Sequence, residues 1–279
     1  MKWTIAFDSG CDLRNFEPVE TADLQLVPLT IHIGKKEVTD DGSTALEDFQ
    51  LMLDEEKGKT GTACPSVGDW QKVMEESDQI IAVTISGAVS GSCQSARIAR
   101  DIVLEEHPDK KILIYDSISG SGTMEFLVRK AIQLIEEGNS FEDVCKGIDE
   151  YKKGSHIFFL LQNVDNLISN GRLNPLIGRA VKALNLCMLA TVSPKGTMEV
   201  IAKVRTFHKA MDKSIEEALK RGARPKKILI SHCLNPKGAE KLKEKLSCHF
   251  KDAEIEIKKT GLICGYYAEK GGLIVALQD

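Results

Sequence analysis

The first half of the chain alternates short apolar runs with longer segments of helical periodicity, and this alternation limits the folds open to it. The run at residues 80–85 is apolar on both faces, as parallel strands are when helices cover them. Similar runs lie at residues 3–7, 26–33 and 112–115, and helices are predicted over residues 44–57, 67–75, 92–105 and 123–137. We therefore predict a wound α/β domain with a parallel sheet, from which a hairpin near residues 27–36 projects.

The second half combines helices with a hairpin signal, which is typical of an α+β domain. The turn Ser193-Pro194-Lys195-Gly196-Thr197 separates two strand-like runs. Strands are predicted at residues 157–161, 186–192, 198–204, 227–231, 254–258 and 272–277, and helices at 164–169, 175–184, 208–221 and 237–250. We expect two domains, residues 1–155 and 156–279, the second with a mixed or antiparallel sheet and a ligand held between them.

Composition argues against several classes of protein. A net charge of -4 without a basic block disfavours nucleic-acid binding, and no apolar run approaches the roughly 18 residues that span a bilayer. Asp8 ends the first apolar run after five residues, which favours a strand over a targeting segment. The eight cysteines form no CxxC pair, so we predict reduced thiols and no metal site. Taken together, these features predict a cytoplasmic protein without stable membrane insertion.

Short polar loops follow three of the four strands in the first half. They contain Asp8 and Ser9, then Ser90, Gly91 and Ser92, and finally Ser117. In an open parallel sheet these loops meet at the carboxyl edge, where free amides at helix N-termini favour an anion. Serine, aspartate and glycine also cap helices and form turns, which is the alternative interpretation for each loop taken singly. Three such loops together favour an anion-binding cleft.

Two further segments supply candidate ligands for such an anion. Thr62 precedes Pro65 and Ser66, which together predict a loop and a helix N-cap, and its hydroxyl is left free for another role. Arg172 follows an Asn-Gly helix terminus. It is either a surface residue or a cation that reaches a bound acid.

Motifs of common enzyme classes are missing from the sequence. It has no phosphate-binding G-x-x-x-x-G-K-[ST] loop and no complete dinucleotide fingerprint, so no cofactor is implied. In Gly87-Ala88-Val89-Ser90-Gly91 the serine stands one place too late for a nucleophile elbow. A hydrolase or transferase that uses Ser90, and a binding module for another small anion, are the alternatives to be weighed; no residue is assigned as catalytic.

Six short blocks, in order along nearly the whole chain, resemble the signatures of the DegV family. These blocks are Asp8-Ser9-x-x-Asp12-Leu13, Thr62-Ala63-Cys64-Pro65-Ser66, Ser90-Gly91-Ser92-Cys93-Gln94-Ser95-Ala96, Asp116-Ser117, Asn170-Gly171-Arg172-Leu173 and Val204-Arg205-Thr206-x-x-Lys209-Ala210. The resemblance implies a two-domain carrier that binds a long-chain fatty acid between its domains and is not itself an enzyme. It also implies that Thr62 and the Ser90-Gly91-Ser92 turn hold the carboxylate, and that some members present the acid to an ATP-dependent fatty acid kinase.

One departure from the family pattern concerns the head group of the ligand. The family's C-terminal stretch commonly reads near GxVIGxHxGPG, whereas residues 261–271 place Tyr267 at the histidine and Glu269-Lys270 at Gly-Pro. A tyrosine hydroxyl still donates a hydrogen bond to a carboxylate but carries no positive charge. Fatty acid binding is therefore expected to persist, with Arg172 as the retained cation, while use of a kinase partner stays open.

Overall fold

The computed structural model describes residues 2–14, 16 and 18–279 as an α/β protein with three sheets. The strands are β1 (Trp3–Asp8), β2 (Ala22–Val27), β3 (Thr30–Ile33), β4 (Lys36–Thr39), β5 (Thr60–Ala63), β6 (Gln79–Thr84), β7 (Lys111–Asp116), β8 (Ser155–Leu161), β9 (Cys187–Val192), β10 (Met198–Val204), β11 (Lys227–His232), β12 (Glu254–Lys259) and β13 (Leu273–Gln278). The helices are α1 (Leu46–Glu55), α2 (Val67–Glu75), α3 (Ser92–Glu106), α4 (Gly122–Glu136), α5 (Phe141–Lys152), α6 (Asp165–Ser169), α7 (Pro175–Ala183), α8 (Phe207–Lys220), α9 (Pro236–His249) and α10 (Leu262–Ala268).

The first sheet is wholly parallel, with the order β2-β1-β6-β7. Its two central strands, β1 and β6, are buried along their full length, because helices cover both faces of the sheet. Helix α2 has the predicted bounds, fixed at its start by a capping box in which Ser66 and Asp69 bond each other's backbone amides. The predicted parallel α/β architecture of the first half is therefore confirmed.

The second sheet is mixed, with the order β10-β9-β8-β13-β11-β12. Only the β11–β12 pair is parallel in this sheet, and the other neighbours run antiparallel. The hairpin β9–β10 turns at Ser193–Thr197, as the sequence predicts, and β10 has the predicted bounds. The prediction of a mixed sheet in the second half is confirmed.

A small third sheet contains a difference from the sequence prediction. The single run predicted at residues 26–33 is two strands, β2 and β3, which belong to different sheets. They are separated at Pro28, which has no amide to donate to a ladder. Hairpin β3–β4 forms as predicted, but the segment expected to be a loop supplies β5, which pairs antiparallel with β3 and carries Thr62.

Two helices, α5 and α10, were not predicted from the sequence. Helix α5 begins after Ser140, whose side chain accepts from the amide of Asp143. Helix α10 lies in a stretch that is apolar nearly throughout and has no capping side chain of its own at Gly261. Because its capping groups come from distant parts of the chain, local signals do not indicate it.

Helix α4 packs against both large sheets and fixes their separation. A Cβ at Gly122 would lie 2.7 Å from Leu229 Cδ2 and 3.0 Å from the Cβ of Ala276, so the helix start approaches the second sheet closely. One turn later the buried carboxylate of Glu125 accepts from Lys258 Nζ at 2.6 Å. The chain passes from the first large sheet to the second between α5 and β8, and β8 begins at Ser155.

Candidate functional site

A cavity of about 350 Å³ lies between the carboxyl edge of the parallel sheet and the second sheet. This size is in the range of small-molecule sites in proteins. Most of its wall is apolar, and the apolar side chains are Leu29, Ala63, Ile85, Val89, Phe159, Leu161, Leu167, Val192, Met198, Ile263, Ala268 and Ile274. The wall also contains Thr62, Ser90, Gly91, Arg172 and Tyr267, so five of the residues predicted to bind the ligand are brought together.

A hydrogen bond between two predicted residues crosses one side of this cavity. Thr62 Oγ1 and the hydroxyl of Tyr267 are 2.7 Å apart, and they belong to β5 and α10 respectively. Burial raises the pKa of the Tyr267 phenol above its usual value, although Thr62 and Arg172 act against the shift. The phenol therefore stays protonated at neutral pH and is available as a donor to an anion.

Arg172 brings a positive charge to the same side of the cavity. Its Nε donates to the carbonyl oxygen of Val89 at 2.9 Å, and its Nη1 donates to the carbonyl oxygen of Asn170. A guanidinium has five N–H donors, so this anchoring leaves others for a ligand. Ser90 and Gly91 follow Val89 directly and lead into α3, with Gly91 as its N-cap residue, and Ser90 Oγ accepts from the amide of Ser92 at 3.3 Å. Hydroxyls, a helix start and a cation thus converge on one part of a mostly apolar cavity, whose wall also contains Ser86, Ser119 and Ser121.

Helix α10 is oriented by two buried carboxylates from the first half of the chain. Asp12 Oδ1 accepts from the amide of Gly261 at 2.8 Å. Asp40 accepts from the next two amides, those of Leu262 and Ile263, at 3.0 Å each. Because the first amides of a helix lack intrahelical acceptors, these carboxylates determine where α10, and with it Tyr267, lies.

The neighbouring Tyr266 anchors the same helix from its other end. Its hydroxyl lies 2.7 Å from Thr60 Oγ1 and accepts from Asn170 Nδ2 at 2.9 Å. Tyr266 is fully buried and is not part of the cavity wall. The two tyrosines thus bond to alternate threonines of β5, one in a structural contact and the other at the cavity.

Two of the predicted binding residues, Asp8 and Ser92, lie behind the wall and not in it. Asp8 accepts from the amides of Gly10 and Ile85, at 3.0 and 2.9 Å, and from Ser92 Oγ at 2.6 Å. Burial raises the pKa of the Asp8 carboxyl to about 6 in spite of these donors. Both side chains are fully buried. Their contacts join the loop after β1 to the start of α3 and so support Ser90 and Gly91 indirectly.

Ser9 and Ser117 are likewise outside the wall. Ser9 Oγ accepts from the amide of Leu29 at 2.9 Å. Ser117 Oγ bonds both the amide and the carbonyl oxygen of Ser119, at 3.1 Å each. Both side chains are fully buried, and their hydroxyls satisfy backbone groups of the loops at the sheet edge. Direct contact of either with a ligand has no support in this placement.

The contact between Ser92 and Asp8 leads to a pH-dependent prediction. Ser92→Ala is expected to lower the free energy of unfolding by about 1–3 kcal/mol at pH 8, since a buried carboxylate loses a donor. Folding raises the Asp8 pKa from 3.8 to about 6, and loss of the donor raises it further. The variant should therefore lose stability relative to wild type as the pH rises through 6, and should lose less at pH 5.

Urea unfolding of both proteins at pH 5 and pH 8 measures this effect. Ser95→Ala, three residues further along α3, serves as the control and should lower the free energy of unfolding only slightly at either pH. An equal cost of Ser92→Ala at both pH values would show that the hydroxyl does not act through ionised Asp8.

Several wall residues were not identified from the sequence. Met198 and Phe159 face the cavity from strands of the second sheet, and Ile263 faces it from the unpredicted helix α10. The sequence marks them only as apolar, a property shared by the whole core. No histidine, lysine or carboxylate is in the wall among the described residues, and the described part of the chain has no group of three or more side chains arranged to hold a metal ion.

Comparison with known proteins gives a consistent result. The family model described as uncharacterised proteins of the DegV family matches residues 2–278. A DegV domain-containing protein of Streptococcus pyogenes serotype M18 is 38% identical over 279 residues, and the match covers 100% of both chains. The described residues contain no helix that is long and apolar enough to cross a membrane.

Two similar solved structures contain fatty acids. One is the fatty acid kinase (Fak) B3 protein of Streptococcus pneumoniae loaded with linoleic acid, with a TM-score of 0.96, 37% identity and coverage of 100% of this chain and 99% of that chain. The other is a DegV family protein of Eubacterium eligens loaded with heptadecanoic acid, with a TM-score of 0.92, 32% identity and coverage of 99% of each chain. With its full-length family match and its shared fold, the chain belongs to the DegV family.

Proposed function

We propose that this protein binds one long-chain fatty acid in the cavity between its sheets. The observation that carries the proposal is a largely apolar wall with a cluster of donors on one side, formed by Thr62, Tyr267 and Arg172 with the turn at Ser90 and Gly91. An acyl chain gains free energy by leaving water, and a carboxylate needs donors where it is buried. The fatty acids held by the two similar structures fit this arrangement.

The proposal extends to the domains and the cellular setting. Residues 1–155 and 156–279 would act as two units with the acid between them. The protein would work in the cytoplasm, where its eight free cysteines stay reduced. No cofactor, metal ion or nucleic acid takes part in this function.

A separate ATP-dependent fatty acid kinase is the partner we propose for the loaded protein. The similar pneumococcal structure is named a fatty acid kinase B3 protein, which supports this partner. Arg172 would provide the positive charge near the head group, since Tyr267 is neutral. Incubation of the loaded protein with such a kinase and ATP should consume ATP in proportion to the bound acid. A rate no higher than with the ligand-free protein would contradict this part of the proposal.

Native mass spectrometry of the purified protein, with organic extraction of its ligand, tests the binding function. We expect one fatty acid per chain. Met198→Trp should reduce this occupancy about tenfold or more, because the indole ring is bulkier than the methionine side chain and fills the apolar part of the cavity. Met198→Leu keeps the volume nearly constant and should retain the acid. An empty wild-type protein that also takes up no added oleate would overturn the proposal.

A serine hydrolase is a weaker candidate on the geometry of Ser90. A serine nucleophile needs a neighbouring base, and the described cavity wall offers no histidine, lysine or carboxylate. The hydroxyl of Ser90 instead accepts from the amide of Ser92. Another small anion would bind the donors but leave the apolar part of the cavity unfilled, so the fatty acid is the better occupant.

A further inference from the structure

A second and smaller cavity lies beside the first, and the two share part of a wall. Its volume is about 90 Å³, more than the roughly 10–15 Å³ that a single water needs and far less than an organic ligand occupies. Ser119 and Val192 line both cavities. The remaining lining residues are Thr123, Lys152, Ser155, His156, Ile157, Thr191 and Arg221.

Two residues that line this small cavity have hydroxyls without a partner among the described residues. Ser119 and Thr123 are 3% and 1% exposed, and neither Ser119 Oγ nor Thr123 Oγ1 bonds to any described residue. A buried hydroxyl without a partner is destabilising, because it has lost its hydrogen bonds to water and gained none in return. By contrast, the hydroxyls of Ser155 and Thr191 in the same wall are satisfied by Gln278 and by the carbonyl oxygen of Ile157. The two unpaired hydroxyls therefore mark a place for an acceptor that the chain itself does not provide.

Lys152 adds an uncompensated positive charge to this wall. Its ammonium forms no hydrogen bond and no ion pair within 4 Å with any residue that the structure describes. Burial lowers the pKa of Lys152 to about 8, and the more distant Asp116 only partly opposes the shift. At neutral pH the group is still mostly charged, so an anion placed beside it would be stabilised.

The other two basic residues of the cavity have acidic partners. Arg221 Nε donates to Glu217 Oε1 at 3.1 Å, and His156 Nε2 lies 3.8 Å from Asp279 Oδ2. Burial lowers the pKa of His156; Asp279 partly opposes this shift, and Arg221 and Lys152 add to it. This imidazole is therefore neutral at pH 7 and offers a donor or an acceptor, while the net positive charge of the wall resides on Lys152.

We infer that the small cavity is a binding site for an inorganic oxyanion of the size of phosphate, held by Lys152 Nζ and the hydroxyls of Ser119 and Thr123. A tetrahedral oxyanion accepts several hydrogen bonds at once and carries the charge that this wall lacks. The site is distinct from the fatty acid cluster at Thr62 and Tyr267 but contacts the same cavity through Ser119. The loop after β7 contributes Ser119 to both walls.

Isothermal titration of inorganic phosphate at constant ionic strength tests the site. Wild type should show saturable binding of one phosphate per chain. Lys152→Met, which keeps the length of the side chain, should weaken phosphate binding about tenfold or more. Lys153→Met is the matched control, since the Lys153 side chain is 69% exposed and pairs with Glu150 at the surface. Thr123→Val should weaken phosphate binding by several fold. Lys152→Arg keeps the positive charge and should retain most of the wild-type phosphate affinity.

Oleate occupancy measured on the same samples separates this site from the proposed function. Lys152→Met should retain bound oleate while losing phosphate. Absence of saturable phosphate binding in wild type, or equal phosphate affinity of Lys152→Met and Lys153→Met, would overturn the inference whether or not the fatty acid is bound.

Discussion

Asp40→Ala is expected to lower the free energy of unfolding by about 3–5 kcal/mol, the cost of removing one partner of a buried ion pair. Asp40 is 1% exposed and accepts from Arg14 Nη2 at 2.8 Å, as well as from the amides of Leu262 and Ile263. Alanine leaves two helix-terminal amides without an acceptor and removes the only carboxylate paired with the buried Arg14 guanidinium, whose Nη2 then donates only to the carbonyl oxygen of Ser9 among the described residues. Urea unfolding of the variant and of wild type measures the difference.

The next residue along the chain provides the control for this variant. Asp41 is exposed, and its Oδ1 accepts from the amide of Ser43 in a surface turn. Asp41→Ala should therefore cost about 1 kcal/mol or less. Comparable costs for the two aspartates would show that the contacts of Asp40 with α10 and Arg14 contribute little to stability.

Thr62→Val is expected to weaken fatty acid binding about 5- to 150-fold, equivalent to about 1–3 kcal/mol. Valine has nearly the shape of threonine but lacks the hydroxyl that lies 2.7 Å from that of Tyr267. The bound carboxylate loses a donor, and the half-buried phenol loses its partner. Competition with a fluorescent fatty acid, followed over a series of oleate concentrations, gives the affinity.

Thr60→Val is a closely matched control for the binding experiment. Thr60 lies two residues earlier on β5 and bonds the hydroxyl of Tyr266 at the same distance of 2.7 Å, but it is not in the cavity wall. We expect its replacement to affect stability more than affinity. If both variants bind oleate with the affinity of wild type, Thr62 does not contact the carboxylate.

The sequence predicts strand and helix positions well where the signal is local. Helix α2 has its Ser66 capping box, and strand β10 follows a turn that contains Pro194 and Gly196. Helix α10 is missed because its N-terminal amides bond to Asp12 and Asp40, more than 200 residues earlier in the chain. Contacts between residues so far apart leave no pattern in a short window of sequence.

In the candidate site, too, the type of a residue does not reveal its environment in the folded protein. Ser90 and Ser92 are two residues apart in one turn, yet only Ser90 is in the cavity wall, while Ser92 bonds buried Asp8. Composition alone does not separate a serine that faces a ligand from one that satisfies the protein's own groups. Asp40 and Asp41 differ in the same way, one buried and one exposed. Both distinctions depend on tertiary packing.

The way in which α10 is held also determines when the site can form during synthesis. Tyr267 is oriented by amides that bond Asp12 and Asp40 across 249 and 222 residues of chain, and these contacts close only after nearly the whole polypeptide is available. Long-range contacts of this kind form late in folding. A ribosome-bound chain that ends before residue 262 contains all the residues of the parallel sheet but not Tyr267, which completes the donor cluster. The donor cluster is therefore complete only once α10 has been synthesised and packed against Asp12 and Asp40.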